Sequence, residues 1–263
     1  MTHLSCKRKG KRSRLKSLQE IIDKGKRIVF FGGAGVSTES GIPDFRSQTG
    51  LYSAGGRMLQ EGELAQIKGL TPEVVLSNTF FYMHPGPFFD FYRKYMIYPD
   101  ARPNAAHKKL FELEQCDKLR GIVTQNVDGL HRMAGNKRVY ELHGSIYENI
   151  CMDCSKRYPL EWLMAAERIP RCEDCGGVVK PNVVLYGEGL DKYTVMGACR
   201  EISSCDVLIV AGTSLTVEPA ASYLAYFGGK ELVIINREAT RADRQATLVI
   251  RESVAQVLGA IRL

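Results

Sequence analysis

Arg27-Ile-Val-Phe-Phe31, running into Gly32-Gly-Ala-Gly35, is the stretch on which the fold turns. A short apolar run rich in β-forming residues and closed by glycines is the pattern of a parallel strand buried on both faces. The glycines permit positive φ and let backbone N–H groups approach a phosphate, and a helix after the turn would add the positive end of its dipole. The turn is not a complete Gly-x-Gly-x-x-Gly, because Thr38 stands at the third glycine position. Nor does an acidic residue end a second strand about 20 residues later, as the ordinary dinucleotide fingerprint requires. A hydride-transferring dehydrogenase is disfavoured for that reason.

Three more runs repeat the pattern downstream. Arg120-Gly-Ile-Val-Thr124 precedes Gln125-Asn-Val-Asp-Gly-Leu-His131, Cys205-Asp-Val-Leu-Ile-Val-Ala211 precedes Gly212-Thr-Ser-Leu215, and Glu231-Leu-Val-Ile-Ile-Asn236 precedes Arg237. Apolar spacing predicts helices over 104–113, 193–202, 220–227 and 253–261. The expected fold class is therefore α/β, a doubly wound Rossmann-like parallel sheet, with ligands in a crevice beyond the carboxyl ends of the strands. Residues 17–47, 104–146 and 181–263 would form this body. Two interruptions would form a smaller domain: an aromatic-rich helical module over 48–103 and a cysteine-bearing module over 147–180.

Cys151-Met-Asp-Cys154 and Cys172-Glu-Asp-Cys175 are paired knuckles with the spacing of a zinc ribbon. Two residues between cysteines let a tight turn aim both sulfurs at one ion, and four thiolates fill a tetrahedral zinc shell. Two disulfides, or four unrelated thiols, are the alternatives that the doubled knuckle disfavours. The metal site is expected to be structural, one Zn2+ held away from the crevice. Cys6, Cys116, Cys199 and Cys205 then read as free thiols, and a chain using cysteine in this way suits a reducing cytoplasm.

The 263 residues are 44% apolar, enough for one large domain with an insertion. No apolar run reaches the roughly 18 residues of a membrane span, and the basic start is not followed by an apolar signal core. The net charge of +7 resides in Lys7, Arg8, Lys9, Lys11, Arg12, Arg14 and Lys16, which leave 29 basic and 29 acidic residues elsewhere. This segment, residues 1–16, reads as a disordered solubilising extension or, less favoured, as a tail that attaches to nucleic acid or an acidic partner.

Gly33-Ala-Gly-Val-Ser-Thr-Glu-Ser-Gly-Ile-Pro-Asp-Phe-Arg-Ser47, Thr124-Gln-Asn-Val-Asp-Gly-Leu-His131, His143-Gly-Ser145, the cysteine knuckles, Gly212-Thr-Ser-Leu215 and Ile235-Asn236 occur in the order found in sirtuins. Over about Ser17 to Leu263 the chain resembles that family of NAD-dependent protein lysine deacylases, in its compact bacterial form. The resemblance implies a reaction in which the acetyl oxygen of acetyl-lysine attacks the anomeric carbon of the nicotinamide ribose. Nicotinamide leaves, and the acetyl group ends on ADP-ribose.

The resemblance also assigns roles. His143 would be the base that deprotonates a ribose hydroxyl, a task suited to an imidazole. Asn126 and Asp128 would hold the nicotinamide ribose and amide in reactive geometry, with alternate residues pointing to one face. Gln125 and Val127 belong to the same cofactor-lining segment. Phe45 would shield the ribose carbon from water, and Arg46 would anchor phosphate or ribose oxygens. Ala34, Gly35, Thr38, Gly212, Thr213, Ser214, Asn236 and Val254 match further NAD-contacting positions.

Peptide recognition is implied around Asn182-Val-Val-Leu-Tyr-Gly-Glu188 and Thr216-Val-Glu218, which would sandwich an extended acetyl-lysine peptide. Val184, Tyr186, Gly187, Glu188 and Val217 are the expected substrate-binding residues. Tyr186 stands where the family commonly has phenylalanine, so its hydroxyl needs a partner. No Tyr-x-x-Arg pair, the grip for succinyl or malonyl groups, occurs between Gln48 and Pro103; Tyr92 is followed by Arg93 and then Tyr95. An apolar acyl group is expected, acetyl first and longer chains next. Mono-ADP-ribosyl transfer at the same NAD site is the alternative chemistry, and a non-enzymatic zinc module with a nucleic-acid-binding tail is the alternative class.

Overall fold

The computed structural model describes residues 2–44, 67 and 69–263, with side chains from residue 12 onward. Its main sheet has six parallel strands in the order β3-β2-β1-β7-β8-β9. These are β1 (Ile28–Gly32), β2 (Leu119–Thr124), β3 (Val139–Glu141), β7 (Val207–Ala211), β8 (Glu231–Ile235) and β9 (Leu248–Ile250). β1 and β7 are buried along their whole length, as their unbroken apolar sequences require. Ile28 and Phe30 pack under α1 (Thr2–Lys24), α5 (Ala105–Gln115) and α9 (Val254–Gly259). Val29 and Phe31 point to the other face, under α8 (Lys192–Ser204) and a 3-10 helix over Ala220–Tyr226. The four expected strands and helices are present within a few residues of the expected bounds, and 220–227 is 3-10 rather than α.

Two expectations need correction. The basic segment continues α1 as helix from Thr2, so the backbone of 2–16 is not the disordered extension anticipated. Leu15, Leu18, Ile21 and Ile22 seat the rest of that helix on the sheet. Among the described residues no α-helix follows the glycine turn directly, over 36–44. Two 3-10 turns, Ala34–Val36 and Thr38–Ser40, end at Gly41 with φ 87°. Pro43 then removes an N–H and disfavours helical geometry at Ile42, so the segment leaves the sheet without forming a helix dipole.

The two interruptions share one core. α2 (Pro72–Val75), α3 (Asn78–Met83) and α4 (Pro85–Tyr95) bury Phe81, Phe88, Phe89, Phe91 and Tyr92. Phe81 and Phe88 meet edge to face at 4.9 Å. The same cluster takes in Leu160 and Leu163 of α7 (Leu160–Ala165), with Ile146 and Val183 from a three-stranded antiparallel sheet. That sheet runs β5-β4-β6, from β4 (Gly144–Cys151), β5 (Arg157–Pro159) and β6 (Val179–Val183). Residues 48–66 and 68 of the expected helical module, with 45–47 before it, lie outside the described residues.

His107 on α5 and His131 on α6 (Leu130–Met133) meet at a tilt of 55° with ring centroids 4.7 Å apart, and both are buried. His107 Nδ1 accepts the Asn104 N–H, closing a capping box, and both rings keep nitrogens without a partner among the described residues. Burial lowers His107 to about 4 and holds His131 well below its ordinary value. Below the unfolded value of about 6.5 the unfolded chain takes up protons that the native pair refuses, so stability is lost as pH falls from about 6.5 toward about 4. Urea-unfolding midpoints should fall over that range. In His107→Gln, which keeps an acceptor for Asn104, the slope should flatten; an unchanged slope would contradict the assignment.

Candidate functional site

A crevice of about 370 Å³ opens beyond the carboxyl ends of β1 and β7, where the order of strands reverses. Its floor is made by backbone pressed on backbone. Gly35 N–H donates to the Gly212 carbonyl at 2.8 Å, and a Cβ on Gly35 would lie 2.8 Å from Gly212 Cα. The glycines of the first turn thus let the ends of β1 and β7 meet, whatever else they approach. Ala34, Gly35 and Thr38 line the crevice from this turn, Gln125, Asn126, Val127 and Asp128 from the end of β2, and His143 from the turn into β4. Gly212, Thr213 and Ser214 follow β7, Asn236 follows β8, and Val254 opens α9 behind its Ser253 cap. Phe45 and Arg46 lie outside the described residues.

Asn126 and Asp128 converge as their spacing suggests, through a residue the sequence reading did not single out. Asn126 Nδ2 donates to Ser37 Oγ at 3.1 Å, and Ser37 Oγ donates to Asp128 Oδ2 at 2.6 Å. Asp128 Oδ1 accepts the Leu130 N–H at 2.9 Å. Burial raises the Asp128 carboxyl above its ordinary value, and the bonds from Ser37, Leu130 and Asn126 pull against that rise. Ser37 is only 1% exposed. Its hydroxyl directly follows the small and apolar run Gly32-Gly-Ala-Gly-Val36, and a buried hydroxyl needs partners.

His143 Nδ1 lies 2.9 Å from the Gln125 carbonyl. A carbonyl only accepts, so Nδ1 carries the proton and Nε2 of the neutral ring is left as the basic nitrogen. Burial lowers the His143 pKa, partly offset by that carbonyl. Gln125 is itself pinned, its N–H to the Gly32 carbonyl at 3.0 Å and its side-chain amide to Thr213 Oγ1 at 3.3 Å. Gly144, next to His143, has φ 77°, and a Cβ there would come within 1.9 Å of the Asn182 carbonyl. The turn that aims His143 therefore accepts only glycine.

Val184, Tyr186, Gly187, Glu188 and Val217 line the same crevice. The Val184 N–H donates to the His143 carbonyl at 2.9 Å, the Tyr186 N–H to Leu76 at 3.0 Å, and the Asn78 N–H to the Tyr186 carbonyl at 2.9 Å. This segment joins the turn that carries His143 to α3 and the residue after α2. Leu76, Tyr95, Met96, Ile146, Val183 and Leu185 add an apolar wall that the sequence reading did not specify.

The four cysteines lie apart from the crevice lining. Their sulfurs all fall within 4.8 Å of one another, with Cys151 and Cys175 at 3.4 Å and Cys154 and Cys172 at 3.5 Å. A tetrahedral zinc with bonds of about 2.3 Å sets sulfurs about 3.8 Å apart, so the donor set and spacing fit zinc. The Tyr158 hydroxyl donates to Cys172 Sγ at 3.2 Å, an outer bond that orients a ligand. Trp162 stacks on Tyr158 with centroids 3.9 Å apart.

A model of the Sir2 family matches residues 33–219. An NAD-dependent protein deacetylase of Clostridium acetobutylicum is 51% identical over 249 residues, covering 94% of this chain and 98% of that protein. Another of Cutibacterium acnes is 48% identical, covering 93% and 96%. Among solved structures, a Sir2 variant with a deacetylated p53 peptide and 3'-O-acetyl ADP-ribose superposes with TM-score 0.82 at 34% identity, covering 93% of this chain and 96% of that one. Sir2Tm bound to a propionylated peptide gives 0.78 at 34% identity, covering 93% and 95%. A crevice at the strand reversal, a histidine oriented by a main-chain carbonyl, a clustered cysteine tetrad and these likenesses agree, and the chain belongs to the Sir2 family.

Proposed function

We propose that the crevice brings NAD and an acetyl-lysine side chain of a protein together, and that the acetyl group passes to ADP-ribose as nicotinamide is released. The bond between His143 Nδ1 and the Gln125 carbonyl carries this reading, because it leaves a neutral Nε2 free to act as the base. NAD supplies an anomeric carbon with a good leaving group. Ser37, Asn126 and Asp128 hold the polar groups around that carbon, each already fixed before substrate arrives. The residue roles assigned to Ala34, Gly35, Thr38, Gly212, Thr213, Ser214, Asn236 and Val254 as NAD contacts are supported by their meeting in one crevice. Phe45 and Arg46 keep their proposed roles on the strength of the motif.

The apolar wall supports an uncharged acyl group. Arg93 follows Tyr92, but its guanidinium donates to the carbonyls of Leu163, Ala166, Glu167 and Arg168 and so closes the end of α7. It is not offered to a distal carboxylate. Tyr92 is itself wholly buried. Acetyl and longer apolar acyl groups suit such a wall, while succinyl and malonyl do not.

Residues 17–47, 104–146 and 181–263 would then be the NAD-binding body, with 48–103 and 147–180 the small domain that completes the peptide site. The shared aromatic core supports treating those two segments as one unit. Zinc at Cys151, Cys154, Cys172 and Cys175 would hold that unit together, and thiols kept reduced for metal support a cytoplasmic location. No helix among the described residues is long and apolar enough to cross a membrane.

Acetyl-lysine peptide should be consumed only with NAD, yielding equal amounts of deacetylated peptide, nicotinamide and acetylated ADP-ribose by mass spectrometry. ADP-ribose carried onto protein without deacetylation would select the transferase alternative. His143→Ala should lower kcat about 10²- to 10⁴-fold. Because its folded pKa is lowered, the base form persists below neutrality, and the acid limb of kcat/KM should fall below pH about 6.5. An acid limb well above that value would contradict the role.

Chelation should remove one zinc per chain and change the fluorescence of Trp162, the sole tryptophan, which stacks on the tyrosine that touches Cys172. A Trp162 signal indifferent to zinc loss would contradict a structural metal.

A further inference from the structure

Lys180 and Glu188 belong neither to the Ser37 network nor to the cysteine cluster, yet they hold the segment between them. Lys180, on β6, has a side chain only 16% exposed, and Glu188 is 21% exposed. A charge so far from water persists only where its hydrogen bonds are satisfied. Lys180 Nζ donates to Glu188 Oε2 at 3.1 Å and to the carbonyls of Val183 at 2.9 Å and Pro181 at 3.4 Å. It also lies 6.0 Å from the centroid of the Phe81 ring.

Glu188 is equally engaged. Oε2 also accepts the Leu185 N–H at 2.8 Å, and Oε1 accepts Asn78 Nδ2 at 3.3 Å. The Glu188 N–H closes a turn onto the Leu185 carbonyl at 2.9 Å. One carboxylate therefore binds Lys180 of β6, Leu185 between Val184 and Tyr186, and the first residue of α3. Its oxygens are turned to these partners, so Glu188 also holds the segment that carries the other expected substrate-binding residues.

We propose that Lys180 is a positioning residue for the acyl peptide, its ion pair with Glu188 clamping the 184–187 segment against the helical module. The proposal rests on the reading of that segment as the peptide-binding strand. Without the ammonium, the carboxylate is left partly buried with only neutral donors and turns toward water. Leu185 then loses its acceptor, and the turn loosens between Val184 and Tyr186. The His143 ring is spared, because its bond is to the Gln125 carbonyl, outside this segment. The effect falls on peptide affinity and leaves the NAD half of the crevice in place.

The test uses full-length, zinc-loaded protein, with initial rates measured against acetyl-lysine peptide at saturating NAD and against NAD at saturating peptide. Lys180→Met should raise the peptide KM about tenfold, a loss of the size that one buried charged contact controls, with kcat within about threefold and the NAD KM within about twofold. Lys180→Arg should restore the peptide KM. Glu188→Gln should reproduce the increase, and combining it with Lys180→Met should add little further. Should Lys180→Met not fold, Glu188→Gln and Lys180→Arg carry the test. An unchanged peptide KM in the charge-removing variants would overturn the proposal. So would a parallel loss of kcat and both affinities that follows the fall in Tm. A wild-type protein that turns over no acetyl peptide with NAD would instead sink the functional reading beneath it.

Discussion

Gln125 is the joint on which the crevice depends. Its N–H closes onto the end of β1, its side-chain amide reaches the turn after β7, and its carbonyl receives the proton of His143 Nδ1. Three strand ends and the candidate base are thereby fixed by one residue with no regular secondary structure. The carbonyl decides the tautomer and the orientation of His143, while burial favours the neutral ring against the smaller opposing pull of that carbonyl. Gly144 follows from it too, because the ring can turn inward only if the next residue takes positive φ beneath the Asn182 carbonyl.

Polar groups in this crevice are arranged ahead of any ligand. Leaving Asp128 buried and unpaired would be costly, and bonds from Ser37 and the Leu130 N–H offset that cost while fixing the carboxylate in one direction. The floor beneath is rigid for a different reason. Gly35 and Gly212 are in backbone contact, which leaves no room for adjustment where the two halves of the sheet meet. The opposite wall is held by the aromatic cluster around Phe81 and Phe88, through the Tyr186 and Leu76 backbones. A stiff floor thus faces a wall that is fastened by a few identifiable bonds.

The strands that build the floor were legible because they are buried on both faces and therefore read as continuous apolar runs. β3 and β9 were not, since three-residue edge strands such as Val139–Glu141 and Leu248–Ile250 bury little and carry no period. The missing helix after Gly35 shows the limit of reading a turn by analogy: Gly41 and Pro43 stop it within two 3-10 turns. The basic segment was read by charge alone, whereas its helix continues the one that Leu18 and Ile22 anchor. Cysteine spacing gave the metal cluster directly, as local chemistry does. Ser37 and the His107–His131 pair were beyond reach because their partners lie far away in sequence, and only the fold brings those partners together, while Lys180 meets Glu188 eight residues on with no spacing pattern to mark the pair.

The most direct measurement of this account is the nitrogen NMR of His143 in protein carrying labelled histidine, assigned by comparison with His143→Ala and followed through a pH titration. A ring protonated at Nδ1, unprotonated at Nε2 and titrating below about 6.5 is what the Gln125 carbonyl and burial together demand. A ring protonated at Nε2, or one titrating above about 6.5, would contradict the account.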